Sequence, residues 1–200
     1  LLQAQALAEA FRSRSIQAVY SSDLRRAFQT AKILAESHKL EVHTHVGRRE
    51  MNQGEIEGLT FEELRDQQPE FLESWRQDPS RVVISGGESL VELQERAWSA
   101  VCELAKVHLD ETIVLVSHNL AIVATLCRLL GLSLKRFRQL RQGFTGVTLL
   151  EYTKLGWAVH YMNVMEHLQG VEGYMEPSLR SSSYFYREGE PRWSPDEGSV

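Results

Sequence analysis

The sequence predicts an α/β chain, a three-layer αβα sandwich around a mostly parallel central sheet. Three observations predict it. Short β-branched runs alternate with segments of helical hydrophobic periodicity. Thr112 to Val116 is a continuous apolar run, the pattern of a strand covered on both faces by helices. Several of the strand candidates are separated by helices, which favours parallel pairing.

The elements follow in order. Leu2, Ala6, Leu7, Ala10 and Phe11 recur at helical spacing, and Ile16 to Tyr20 is a short strand that stops at Ser21-Ser22-Asp23. A second helix carries Leu24, Ala27, Phe28, Ala31, Leu34 and Ala35, and Glu41 to Val46 then alternates polar and β-branched residues. Phe61 to Trp75 is a helical insertion interrupted at Pro69 and closed by Asp78-Pro79. Ser89-Leu90-Val91-Glu92 has the form of a capping box and opens a long helix towards His108. After the Thr112 to Val116 strand, Asn119 to Leu130 is helical, with Gly131 placed to end it. Val147 to Tyr152 and Trp157 to Val164, joined by Lys154-Leu155-Gly156, form a hairpin.

At 200 residues the chain has room for one well-buried domain, expected over 1–168. Residues 169–200 read as a loosely ordered tail, because from Val171 onward Pro177, Pro191 and Pro195 join a serine run and a charge-rich end. With 42% hydrophobic and 24% charged residues the composition is that of an ordinary globular protein, not of a disordered, collagenous or disulfide-stapled one. A net charge of −5 argues against a broad nucleic-acid-binding face. The longest apolar run, Leu120 to Cys127, is far below the roughly 20 residues that span a bilayer, and no signal peptide opens the chain. Cys102 and Cys127 fall in apolar helical patterns, where buried free thiols and a reducing cytoplasm are the expectation.

Chemistry concentrates at three strand ends. Val114-Leu115-Val116-Ser117-His118-Asn119 puts a histidine at the carboxyl end of a buried strand as a helix begins, the edge where open α/β sheets bind ligands. There it can meet an anion beside free backbone amides, or simply satisfy a loop carbonyl. Ser21-Ser22-Asp23-Leu24-Arg25-Arg26 repeats the arrangement with arginine in the first helical turn, whose planar fork matches phosphate oxygens. Consecutive helical residues point about 100° apart, so at most one of Arg25 and Arg26 faces a pocket. The third is Arg48-Arg49-Glu50-Met51-Asn52-Gln53-Gly54-Glu55-Ile56-Glu57-Gly58, in which a glutamate could protonate a departing alcohol, with Glu55 and Glu57 read as surface charges. His43 and His45 share one face of a strand, but no third ligand accompanies them and no metal is expected.

In this order the motifs resemble the histidine phosphatase superfamily, also called phosphoglycerate-mutase-like, over about 1–165. Ser21 to Ala31 looks like its second arginine motif, Glu50 with Gly54 and Glu57-Gly58 like its acidic loop, Gly87-Glu88-Ser89 like its helix-opening motif, and Val116-Ser117-His118 like its second histidine motif. The resemblance implies that Arg26, with Ser22, binds a phosphoryl group, that His118 contacts and stabilises it, and that Glu50 donates and later accepts a proton. It also implies a histidine nucleophile in an Arg-His-Gly motif ending the first strand, and no Arg-His-Gly occurs in the sequence. The expectation is that this first strand lies before residue 1. Asn119 stands where many relatives carry glycine.

The function implied is hydrolysis of small phosphomonoesters through a phosphohistidine, in the phosphatase branch, with no cofactor, nucleic acid or membrane. The alternatives are a non-catalytic relative that binds phosphorylated ligands or a protein, and a phosphoglycerate mutase. Trp75, Arg76 and Arg81 in the insertion either contact the leaving group or pack and solvate, with packing favoured for Trp75. A helix face could bury itself in the core or in a homodimer.

Overall fold

The structure, a computed structural model, describes residues 1–174. The chain runs α1 (Leu2–Phe11), β1 (Ala18–Ser21), α2 (Arg25–His38), β2 (Val42–Thr44), α3 (Phe61–Gln67), α4 (Pro69–Gln77), α5 (Leu90–Val107), β3 (Ile113–Val116), α6 (Asn119–Leu130), β4 (Val147–Thr153) and β5 (Gly156–Val164), with short 3-10 turns between. Every predicted element is present. Those of the expected tail residues that lie beyond Tyr174 are outside the described residues.

Local chemistry explains the boundaries. Thr60 and Ser89 open α3 and α5 with complete capping boxes, their hydroxyls accepting from the Glu63 and Glu92 amides while those carboxylates accept in return. Pro69 sits in the first turn of α4, where its missing N–H costs nothing. Gly131 ends α6 at φ 66°, a left-handed conformation open to glycine without strain.

The central sheet is parallel with order β2-β1-β3. Val42, Val19 and Val114 lie in register across it and pack with Leu7, Ala31 and Leu34 of α1 and α2, forming one core. The opposite face carries Tyr20, whose hydroxyl is 2.8 Å from His108 Nε2 at the end of α5. On that side α5 and α6 pack together into the second core with the insertion, through Leu90, Leu93, Leu120, Ala124 and Trp75. The three layers are therefore as expected, with β2 an edge strand.

One feature differs from expectation. All four residues of β3 are only half-buried, although the apolar run reads as a strand enclosed on both faces. β4 and β5 form the expected antiparallel hairpin, which stands apart from the parallel sheet. One cavity accounts for both. Between β3 and β4 runs a groove of 1970 Å³, lined by all of β3 and β4, by Leu7 and Leu34 from one helical layer, and by Val101 and Leu126 from the other. Among the described residues, β3 pairs only with β1 and β4 only with β5. The hairpin is tied to both layers, Val147 packing on the α1/α2 core and the Trp157 ring lying 5.4 Å from Trp98 of α5.

Candidate functional site

The carboxyl end of β3 and the first turns of α2 and α6 open into this groove, and Arg26, Arg48, Glu50 and His118 all line it. Ser22 does not. It is fully buried, its amide donates to Val116 O and its hydroxyl accepts from Leu24 N, so it shapes the turn from β1 into α2. Of the paired arginines, Arg26 lines the groove and Arg25 does not, as one helical step of about 100° requires. Arg49 points elsewhere and forms a two-toothed ion pair with Asp23.

Glu50 follows the turn after β2 and reaches the start of α6. Its carboxylate accepts from the amides of Met51, Leu120 and Ala121 at 2.9, 3.2 and 3.3 Å. The anion expected at this helix start is thus the protein's own Glu50. Burial raises its pKa above the ordinary carboxylate value, and the three amides and the Arg26 charge oppose that rise without cancelling it. A carboxyl held protonated more easily than usual, next to a groove, suits proton donation.

His118 is 7% exposed, and its Nε2 is buried without a hydrogen-bond partner. Burial first, then the charges of Arg26, Arg48 and Arg96, push its pKa down to about 4. The neutral ring in a field of arginines marks a place where an anion would relieve several costs at once. Arg48 is a residue that sequence reasoning missed as a site candidate. It is buried, its pKa falls to about 10 through burial and the Arg96 charge, one nitrogen donates to Ala97 O, and Nε has no partner. Only its position just after a strand hints at this, since a charged residue there is usually solvated.

The other candidates fall outside the groove. Gln53 to Glu57 form a turn stacked on the 85–88 loop, with Glu55 and Glu57 exposed. Trp75 is 3% exposed and packs between Phe71 and Phe137, while Arg76 and Arg81 pair with Glu73 and Asp78. The His43 ring lies against Tyr20, and His45 Nδ1 accepts from Gly47 N. Among the described residues no cluster of three or more His, Cys, Asp or Glu could hold a metal. Cys102 is half-buried and Cys127 buried, both as free thiols. No helix of the described chain is long and apolar enough to cross a membrane.

A family model described as the histidine phosphatase superfamily (branch 1) matches residues 1–165. This chain belongs to the histidine phosphatase superfamily. Phosphoserine phosphatase 1 of Hydrogenobacter thermophilus is 35% identical over 135 residues, 68% of this chain and 64% of that protein. This chain thus spans just under two thirds of that relative's length. A probable phosphoglycerate mutase, GpmB, of Yersinia enterocolitica is 33% identical over 155 residues, 78% of this chain and 72% of that one. Among solved structures, a mycobacterial glucosyl-3-phosphoglycerate phosphatase superposes with a TM-score of 0.71 at 31% identity, covering 80% of this chain and 83% of that one. The fold is that of the superfamily, and named relatives include phosphatases and phosphoglycerate-mutase-like proteins.

Proposed function

We propose that this protein hydrolyses small phosphomonoesters through a phosphohistidine intermediate. The observation that carries the reading is the convergence of Arg26, neutral His118 and buried Glu50 on one end of the groove. Arg26 and His118 would hold the phosphoryl oxygens, Arg26 by its charged fork and His118 by the N–H of its Nε2 tautomer. Ser22 supports them by fixing the turn that aims Arg26. No metal or organic cofactor enters this chemistry.

The sequence contains no Arg-His-Gly, and the groove supports a reading of how the nucleophile arrives. A strand pairing in parallel with the free edge of β3 would end beside His118, Arg26 and Glu50, delivering a histidine and an arginine there. Its imidazole nitrogen attacks phosphorus as the P–O bond breaks, and the departing oxygen takes the Glu50 proton. Water then attacks the phosphohistidine, Glu50 takes back a proton, and the P–N bond breaks to release phosphate and free histidine.

The phosphatase branch is favoured over a mutase by the compact insertion, which is α3, α4 and one 3-10 turn between the acidic loop and Gly87. The relatives named as acting on phosphoserine and glucosyl-3-phosphoglycerate support a small phosphorylated substrate. The two free thiols suit a reducing cytoplasm. The test is an assay of the full protein for phosphate release from phosphoserine and for phosphoglycerate isomerisation. Phosphate release should dominate and fall roughly a hundredfold or more in His118→Ala and Arg26→Ala. Dominant isomerisation would replace the hydrolase by a mutase, and phosphate binding without turnover would leave a binding-only relative.

A further inference from the structure

Arg96 lies on α5 and does not line the groove, yet its guanidinium donates three hydrogen bonds to carbonyls of the Glu50 loop. Its Nη1 donates to Gly47 O at 3.2 Å and Arg49 O at 2.9 Å, and its Nη2 donates to Glu50 O at 2.9 Å. Its Nε donates to Glu88 Oε2 at 2.9 Å, and Nη2 also pairs with Glu88 Oε1. Glu88 in turn holds the far side of the same loop. Its carboxylate accepts from Asn52 N at 2.7 Å, and its own amide donates to Asn52 O at 3.0 Å. Both side chains are half-buried, so the pair is shielded from water. Residues 47, 49, 50 and 52 are thereby fixed on both sides of Glu50.

We infer that the Arg96–Glu88 pair is the positioning device that holds Glu50 against the start of α6 and keeps it fit to act as the proton donor. The inference rests on the reading of Glu50 as the acid. The alternative is a pair that merely joins α5 to a loop. An ordinary structural tie needs one contact, whereas here all five N–H donors of a planar fork are used, two on Glu88 and three on the carbonyls of Gly47, Arg49 and Glu50, which an ammonium with three donors cannot match. The rest of the site leaves Glu50 with no other backbone anchor of this kind. Ser117 Oγ donates to Arg48 O on the β3 side, and the carboxylate itself is met by the α6 amides. Removing Arg96 would free the Glu50 carbonyl, let the loop swing towards solvent and break the carboxylate's contact with Leu120 and Ala121. The charged or titratable groups on the elements packed against Glu50 and its loop are Arg26 of α2, Arg48 of the loop itself, Glu88 before α5, Arg96 of α5 and His118 before α6. Of these only Arg96 and Glu88 bind the loop backbone on which Glu50 sits.

The test separates proton donation from the rest of catalysis by leaving group. Phosphoserine releases an alkoxide that needs a proton, whereas 4-nitrophenyl phosphate releases a stable phenolate that does not. Quenched-flow measurement of the first alcohol or phenol released isolates this step in the full protein. For Arg96→Met we expect release from phosphoserine to slow roughly a hundredfold, release from 4-nitrophenyl phosphate to change by less than about threefold, and KM to hold for both. The alkaline limb of the phosphoserine profile should move to lower pH as Glu50 returns to the ordinary carboxylate range. Arg96→Lys keeps the charge beside Glu88 but not the fork and should show a smaller split in the same direction, which also serves if the methionine variant folds poorly. Equal loss on both substrates, or an unmoved pH limb, would overturn the positioning role. Glu50→Gln is the control for the underlying reading: if it shows no split, the assignment of Glu50 fails, whereas a split in Glu50→Gln alone defeats only the inference about Arg96.

Discussion

At the scale of the residue, His118 and Glu50 titrate away from their ordinary values in directions that have opposite consequences for stability. The folded His118 has its pKa near 4, while an unfolded histidine takes its proton near pH 6.5. Between those values the unfolded chain binds more protons, so His118 makes stability fall as pH drops from about 6.5 towards 4, with its full contribution present above that window. Urea unfolding measured at steps of pH should show this acid slope, and His118→Gln, which cannot titrate, should flatten it. An unchanged slope in the variant would refute the burial-driven shift. Glu50 runs the other way: its pKa is raised in the fold, so ionising it as pH rises costs stability just above the ordinary carboxylate range. The sequence marked both residues through strand ends and helix starts. It did not mark Arg48 or Arg96, because burial of an arginine and the direction of its fork depend on α5 lying across a loop almost fifty residues earlier in the chain.

At the scale of the element, the acidic loop and the 85–88 loop interlock with no room for a side chain. Gly54 has φ 47°, and a Cβ there would stand 2.2 Å from Ser85 O and 2.4 Å from Gly87 N. Gly87 is equally tight, since its Cβ would meet Asn52 O at 2.5 Å. These obstacles are backbone and cannot rotate aside, so Gly54→Ala should cost about 2 kcal/mol or more and displace the loop that carries Glu50. Thermal unfolding combined with the phosphoserine assay checks it: a variant with unchanged stability and activity would show that the loops separate freely. Both glycines stand in motifs visible in the sequence, but their shared cause was not, because the contact joins segments some thirty residues apart. The helices and strands were legible for a simpler reason. The capping box at Ser89, the interruption at Pro69 and Gly131 after α6 are local signals, and local signals need no knowledge of the fold.

At the scale of the whole molecule, what periodicity could not reveal is that the apolar run of β3 faces a groove on one side. A strand's sequence reports how apolar its surroundings are meant to be and says nothing of which edge is paired. The hydrogen bonds say which. Thr112 O and Val116 O accept from Gln17 N and Ser22 N on the β1 side, and in a parallel strand alternate residues direct their backbone groups to opposite edges. Val114 therefore also faces β1, and Ile113 and Leu115 turn their N–H and C=O groups towards the groove. Hydrogen exchange of the 200-residue chain should accordingly alternate along β3, with the amides of Ile113 and Leu115 exchanging at least roughly tenfold faster than those of Val114 and Val116. In a protein whose groove holds a paired strand, the two fast amides should become protected while the other two barely change. Uniform protection along β3 in the 200-residue chain would mean that the groove is closed by the chain's own residues, and with it would go the route proposed above for a nucleophile to reach Arg26, Glu50 and His118.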